Sequence, residues 1–373
     1  MATLVSIVGP GAATSASAVS ATDNLVCAQS IVATWSLTQL ANETIVVPVN
    51  AMNIGSMGPE ARAGFGGLLL LGATAPATLS AVLAKLQSLT PQKYSMMVMT
   101  DEEGGGVQRL TNVVGSFPWA QTMGRNLTPA QITATALRVG KALSGVGVNT
   151  DLAPVLDVDG RAQYPGAANP DGYRSFSGSA SIAAADGTAF MTGLLRANET
   201  SVVKHFPGLG GSTRDTDYGP ARTLAWSVLQ KSGLVPFERA IANGATAVML
   251  SNASVPGLTP LPASISPVVV NELRQGLGFK GLIVTDSLGA GALSALHLSV
   301  AAAAVKALQA GADQILYGPA ASPAVTLASA TLVASAIVQA VNAGTLTRAT
   351  LNGAAAQVLA ARNTLTCPAV PGT

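Results

Sequence analysis

The stretch "KHFPGLGGSTRDTDYG", Lys204 to Gly219, gathers a lysine, one of the chain's two histidines, two carboxylates and four glycines directly behind an apolar run. Asp215 and Asp217 stand two residues apart, so they can share one side of an extended segment, and like charges held close raise one pKa. A carboxylic acid that keeps its proton near neutral pH is what a general acid needs. A solvated turn satisfies the same Asp-Thr-Asp-Tyr-Gly pattern. With Pro207 and its glycines the stretch reads as a mobile loop, too flexible for a core element and too acidic for a phosphate cradle. A single histidine after an apolar run is ordinarily a satisfied core residue. Two adjacent polar residues, Lys204 and His205, face a pocket more readily than they bury separately.

Asp286 in "GLIVTDSLGAGAL" follows an apolar run and precedes small residues. That environment suits a carboxylate nucleophile attacking a sugar's anomeric carbon from one face, and it equally suits a helix N-cap. "TDEEGGGVQRL" supplies Asp101, Glu102, Glu103 and Arg109 around three glycines. Asp101 is suited to holding hydroxyl groups with Arg109 countering the negative charge, and a tight turn with a solvated acidic face is the alternative. Arg174 in "PDGYRSFSGS" is either a clamp for hydroxyls or carboxylates or a surface arginine.

Eight short apolar runs position these residues. They start at Ile45, Gly66, Ser95, Val148, Ser201, Thr246, Gly281 and Ala312 and are bounded by Gly, Pro, Asp or Asn. Helical periodicity fills the intervals, as in "TPAQITATALRVGKALSGV", and several helical stretches stop at glycine. Strict strand-helix alternation predicts a parallel sheet, and eight repeats predict a single-domain (β/α)₈ TIM-type barrel, with an open doubly wound sheet as the alternative. Pro48 makes the first strand the least regular, since proline removes a ladder donor. The Ala/Val-rich tail beyond Pro323 predicts closing helices. Barrel chemistry belongs at the C-terminal ends of the strands. Those ends carry Asp101 and Glu103, Asp157 and Asp159, Lys204 and His205, Asn252, and Asp286.

A net charge of +2, 10% charged residues and 4% aromatics give no footprint for nucleic acid. No apolar run approaches the ~18 residues of a membrane span. Cys27 and Cys367 beside two histidines form no zinc-ligand spacing, so no metal is expected. Dinucleotide and Walker fingerprints are missing, and no cofactor is expected. If the chain ends meet, Cys27 and Cys367 can close a disulfide in an oxidising compartment; otherwise they are two unrelated thiols. Residues 1–21 end in Val19-Ser20-Ala21, like a signal-peptidase site, but lack a basic start and contain Pro10, so a signal-peptide remnant or a tail is expected there.

Taken in order, "DEEGGGVQRL", "GVNTDLAPVLDVD", "YRSFS", "KHFPGLGG", "LVPFERAIANGATAVMLSN", "PASISPVVVNELRQGLGFKGLIVTDSLGAGAL" and "GADQIL" resemble glycoside hydrolase family 3, specifically its single-domain β-N-acetylhexosaminidase branch, over residues 45 to 362. The resemblance implies a (β/α)₈-type barrel, Asp286 as the nucleophile that forms a covalent glycosyl-enzyme, and Asp101, Arg109, Arg174, Lys204 and His205 as residues holding the sugar. The family's loop reads Lys-His-Phe-Pro-Gly-His-Gly and then Asp-Ser-His, the last histidine being the acid/base and the aspartate its orienting partner. Here Leu209 stands for the second loop histidine, Asp217 for the acid/base histidine, and Asp215 remains. Gly106 replaces a usual basic residue, and His297 falls in a predicted helix after the seventh strand.

The expectation is therefore an exported, monomeric barrel over residues 22–373, secreted or in the cell envelope. It would act by retention on terminal β-linked N-acetylglucosamine of cell-wall or chitin-derived glycans, with carbohydrate as its partner and Asp217 as acid/base. A β-glycosidase of other sugar specificity and a sugar-binding chain without turnover stay open.

Overall fold

The computed structural model describes residues 21–91, 94–318 and 322–362. Residues 1–20, all but the last of the stretch expected to be a signal-peptide remnant or tail, and Cys367, the candidate partner of Cys27, lie outside the described residues, while Ala21 begins the helix Ala21–Val32.

Seven parallel strands form one curled sheet in sequence order: β1 (Val46–Asn50), β2 (Gly67–Leu71), β3 (Met97–Thr100), β4 (Thr150–Asp151), β5 (Thr200–Phe206), β6 (Ala247–Leu250) and β7 (Leu282–Thr285). Each falls on one of the first seven runs read from the sequence, β5 starting one residue ahead of its run at Ser201. The eighth run supplies no named strand, but Gln314 bridges Val284 of β7 and Ile315 bridges Ile45 beside β1, both in parallel. Pro48 is accommodated in β1 for a simple reason. Val46 donates its N–H to Ile315 O at 2.9 Å, so by alternation the proline nitrogen faces the same side, where the ladder is only a single bridge, while β2 pairs along the other.

Period-two alternation sorts the strands' side chains into two buried layers. Val46, Leu69, Met97, Met99, Leu152, Val202, Met249, Leu282, Val284 and Leu316 pack together inside the curl, with Val358 of the helix Arg348–Ala360 joining them. Val47, Leu68, Leu70, Val98, Val203, Val248 and Ile283 instead join the layer beneath the helices. That double burial is why the sequence shows continuous apolar runs rather than an alternating pattern.

The expected closing helices are Pro323–Asn342 and Arg348–Ala360. The first is 20 residues long and apolar enough, by length and composition alone, to cross a membrane. Its threonines, serines and glutamine break the continuous apolar run sought in the sequence. Here Thr326, Ala330, Val333, Ile337 and Ala340 are buried, and the helix packs beside β1 and the helix Val300–Ala310.

Candidate active site

The C-terminal strand ends surround a cavity of about 680 Å³. Asp101, Arg109, Arg174, Lys204, His205, Asp215, Asp217 and Asp286 all line it. Alternation explains the strand-end members. Leu282 and Val284 point inward, so Asp286 does too; Met97 and Met99 set Asp101 and Glu103, and Val202 sets Lys204. His205 would face outward by the same count. The β5–β6 ladder shifts register between Val203 and Phe206, and His205 lines the cavity.

A charge network fixes one wall. Lys204 Nζ lies 2.6 Å from Asp101 Oδ1 and 2.7 Å from Glu103 Oε1. Arg174 donates from Nε to Glu103 Oε2 at 2.8 Å and from Nη2 to Glu103 Oε1 at 2.9 Å, a bidentate pair. Burial works to raise the Glu103 pKa, but Arg174 and Lys204 outweigh it and hold the carboxyl well below the usual range. Burial likewise opposes charge on Lys204, and Asp101 and Glu103 reverse that effect, so the ammonium persists. Arg109 is looser, its Nε 3.8 Å from Asp101 Oδ2.

The triple glycine makes a tight turn that still serves the cavity. Glu102–Gly104 pairs antiparallel with Val107–Gln108, which carries Arg109 back to the rim. Gly105 has φ +58°, and a Cβ there would lie 2.0 Å from the Trp119 ring, so no larger residue fits. Glu102 does not line the cavity; it accepts N–H bonds from Arg109 at 2.9 Å and Leu110 at 2.7 Å, and burial lifts its pKa to about 7.

Behind His205 stands a second acidic pair. His205 Nδ1 is 2.7 Å from Asp157 Oδ2, and Asp157 Oδ1 accepts the backbone N–H groups of His205 at 3.2 Å and Leu209 at 2.6 Å. Burial, reinforced by Arg174, lowers the His205 pKa to about 4. The imidazole is therefore neutral near pH 7, with Nδ1–H donating to Asp157 and Nε2 left as an acceptor 3.5 Å from Arg174 Nη2. Asp171 completes the cluster, and ligand-capable atoms of Asp157, Asp171 and His205 lie within 4.8 Å of one another. As a cation cage the group fits poorly, because both Asp157 oxygens are already committed to N–H donors and the Arg174 cation occupies the neighbourhood.

Asp286 Oδ1 accepts the N–H of Ser287 at 2.7 Å, and Asp286 donates its own N–H to Leu250 O at 2.9 Å. The carboxylate thus sits in its own turn at the strand end, not free as a helix cap for Gly291–Ser294, whose N-cap is Ala290. Burial raises its pKa, His205 opposes this, and Asp217 adds to it.

The stretch after β5 is not the uniformly mobile loop expected. Pro207 to Gly210 are buried: Leu209 packs with Ala221 and Ala253, and Gly210 touches Val158, whose carbonyl oxygen would be 2.0 Å from a Cβ. Beyond Gly210 the stretch opens, with Gly211, Thr213, Asp217 and Tyr218 exposed while Ser212 and Thr216 are buried. There Asp215 Oδ1 accepts the Asp217 N–H at 2.8 Å and starts the single turn Thr216–Tyr218. Asp217 is exposed at the rim, and partial burial followed by the Asp215 charge pushes its carboxyl above the usual range. His297 lies in an exposed turn after Gly291–Ser294, outside the helix expected, and does not line the cavity.

Two contributors escaped the sequence. Asp171 stands in "PDGYRSFSGS" but the stretch is read there for Arg174 alone, and Tyr317, which lines the cavity, sits in the eighth run as if it were core. Asp159 and Asn252, noticed only as strand-end polar residues, support loops: Asp159 holds Arg161 and the Gly172 N–H, and Asn252 donates to Ser287 O at 2.7 Å.

Residues 61–361 match the Glycosyl hydrolase family 3 N terminal domain. An uncharacterized secreted glycosyl hydrolase of Arthroderma benhamiae is 34% identical over 262 residues, covering 67% of this chain and 72% of that protein. Beta-hexosaminidase LpqI of Mycobacterium tuberculosis is 34% identical over 233 residues, 60% of this chain and 58% of LpqI, so the match spans little more than half of that relative. The crystal structure of beta-N-acetylhexosaminidase from Beutenbergia cavernae matches with a TM-score of 0.79 at 30% identity, over 88% of this chain and 98% of that one.

Proposed function

The chain belongs to glycosyl hydrolase family 3, and from that premise we propose that it removes terminal β-linked N-acetylglucosamine with retention, through a covalent glycosyl-enzyme on Asp286. The observation that carries this reading is the convergence of Asp286 and Asp217 on one cavity, close enough for the Asp217 charge to push the Asp286 carboxyl upward. Asp286 attacks the anomeric carbon while Asp217 gives its proton to the leaving oxygen; Asp217 then takes a proton from the water that releases the sugar. Lys204 uses two of its three N–H donors on Asp101 and Glu103, leaving one for a sugar hydroxyl, and His205 Nε2 offers an acceptor. Naming of the relatives as beta-hexosaminidases supports the N-acetylglucosamine specificity.

The bridges of Gln314 and Ile315 support reading the curled sheet as a closed, single-domain (β/α)₈ barrel. Export, to the medium or the cell envelope, is part of the same reading and is supported by the secreted relative. A sugar-binding chain without turnover is the second reading, favoured by the exposure of Asp217 where a proton donor is needed.

The test is a slow fluorinated N-acetylglucosaminyl analogue followed by peptide mass mapping, with NMR of the first-formed product from an aryl β-N-acetylglucosaminide. One glycosyl residue on the peptide containing Asp286, none on Asp286→Asn, and a β-anomeric product are expected. The variant should lose about 10⁴-fold or more in kcat. An inverted product, or a label elsewhere, rejects the mechanism; sugar binding with no turnover selects the second reading.

A further inference from the structure

Asp171 is fully buried in the loop after β4, and neither carboxyl oxygen meets an N–H or O–H donor among the described residues. Its carboxyl nevertheless lies beside that of Asp157, with an oxygen of each within 4.8 Å of the other. Two carboxylates form a hydrogen bond only when one carries a proton. Asp157 is the member held as an anion, since both its oxygens accept N–H groups. A buried carboxylate without donors, beside an anion, is among the costliest groups a protein can hold, whereas the neutral acid is satisfied by donating once. Arg174 follows Asp171 by one short turn and already spends its guanidinium on Glu103 and Pro170 O, at 2.8 Å for the latter.

We propose that Asp171 is a positioning residue of the sugar pocket: a neutral carboxylic acid whose O–H donates to Asp157 and thereby holds the Asp157–His205 pair and the base of the Leu209 loop. Burial first, and then the Asp157 charge, push the Asp171 pKa far upward, in keeping with the geometry. Asp157 sits at the junction. It orients the imidazole that faces the sugar, and through Leu209 N it anchors the segment leading to Asp215 and Asp217. A proton on Asp171 fixes the Asp157 carboxylate plane, and so sets both His205 and the root of that segment. The wider use of this geometry rests on the glycosidase reading above; the protonation of Asp171 does not.

Asp171→Asn keeps a donor of the same shape, and Asp171→Ala removes it. The Asn variant is expected within about fivefold of the parent in kcat/KM on an aryl β-N-acetylglucosaminide and in Kd for free N-acetylglucosamine, while Ala loses roughly 10- to 100-fold in both. In the infrared difference spectrum of parent minus Asp171→Asn, the C=O stretch of a neutral carboxylic acid should stand out. An Asn variant as impaired as Ala would show that the site uses a charged carboxylate, as a cation ligand would be, and would overturn the proposal. So would an unimpaired Ala variant, or a spectrum without the acid band. If Ala does not fold, the Asn variant and the band still decide. A parent that turns over nothing sinks the glycosidase reading alone, leaving sugar affinity and the infrared band to judge Asp171.

Discussion

The two halves of the cavity are built differently. The wall formed by Asp101, Glu103, Arg174 and Lys204 is buried and cross-linked by contacts of 2.6 to 2.9 Å. Elsewhere on the same cavity the Asp215–Tyr218 turn exposes Asp217 and Tyr218, with a capping bond of 2.8 Å inside the turn. A closed electrostatic wall is suited to holding one sugar ring in a fixed pose, because its dipoles and charges need no reorganisation. An open turn is suited to handling a variable leaving group and admitting water. Binding and proton transfer are thus assigned to regions of different stiffness, with Asp286 between them.

Three substitutions would break or sharpen that contrast. Asp217→Asn should have the largest effect, lowering kcat/KM for a natural disaccharide by about 10² to 10⁴ while kcat/KM for an aryl substrate with a good leaving group changes little. The pH profile carries the same information. Asp286 must be ionised and Asp217 protonated, and both carboxyls are pushed upward. The mechanism requires Asp217 to hold its proton to higher pH than Asp286, against the lift that the Asp217 charge gives Asp286, so protonation of Asp286 is expected to set the acid limb of the kcat/KM bell and ionisation of Asp217 the alkaline limb. Only the alkaline limb should vanish in Asp217→Asn; an unchanged bell would remove Asp217 from the chemistry.

Glu103→Gln comes next. It leaves Arg174 and Lys204 buried without the carboxylate they share, and should cost about 3 kcal/mol of stability by urea unfolding, together with weaker sugar binding. A loss under ~1 kcal/mol would mean that the wall is solvated and not rigid. Gly210→Ala has the smallest expected effect on rate and is the most selective. Its Cβ would press on the Val158 carbonyl, shifting the base of the loop that carries Asp217. Because the backbone must move to relieve that contact, a destabilisation of about 3 kcal/mol is expected, with a several-fold rate loss larger for the disaccharide than for the aryl substrate. Equal losses for both substrates would place the damage in the binding wall.

Legibility in the sequence divides along similar lines. Seven strands and the inward direction of Asp101, Lys204 and Asp286 follow from apolar runs and a period of two, which are local properties of the backbone. Asp217 was readable as chemistry but not as geometry: only packing shows that its loop is anchored at Leu209 and open at its tip. His205 reaches the cavity through a register shift that alternation does not foresee.

What the chain's residues determined by themselves was the set of groups at the strand ends and the two-layer core beneath them, because strand direction and burial are written every second position. The tertiary structure alone decided which acids meet. Glu103 finds Arg174 from 71 positions away, and Leu209 finds Asp157 from 52. Asp171 gains its meaning from being buried against Asp157. Such encounters depend on how loops from different strands pack over one another, and on the desolvation that packing imposes, neither of which any local pattern encodes.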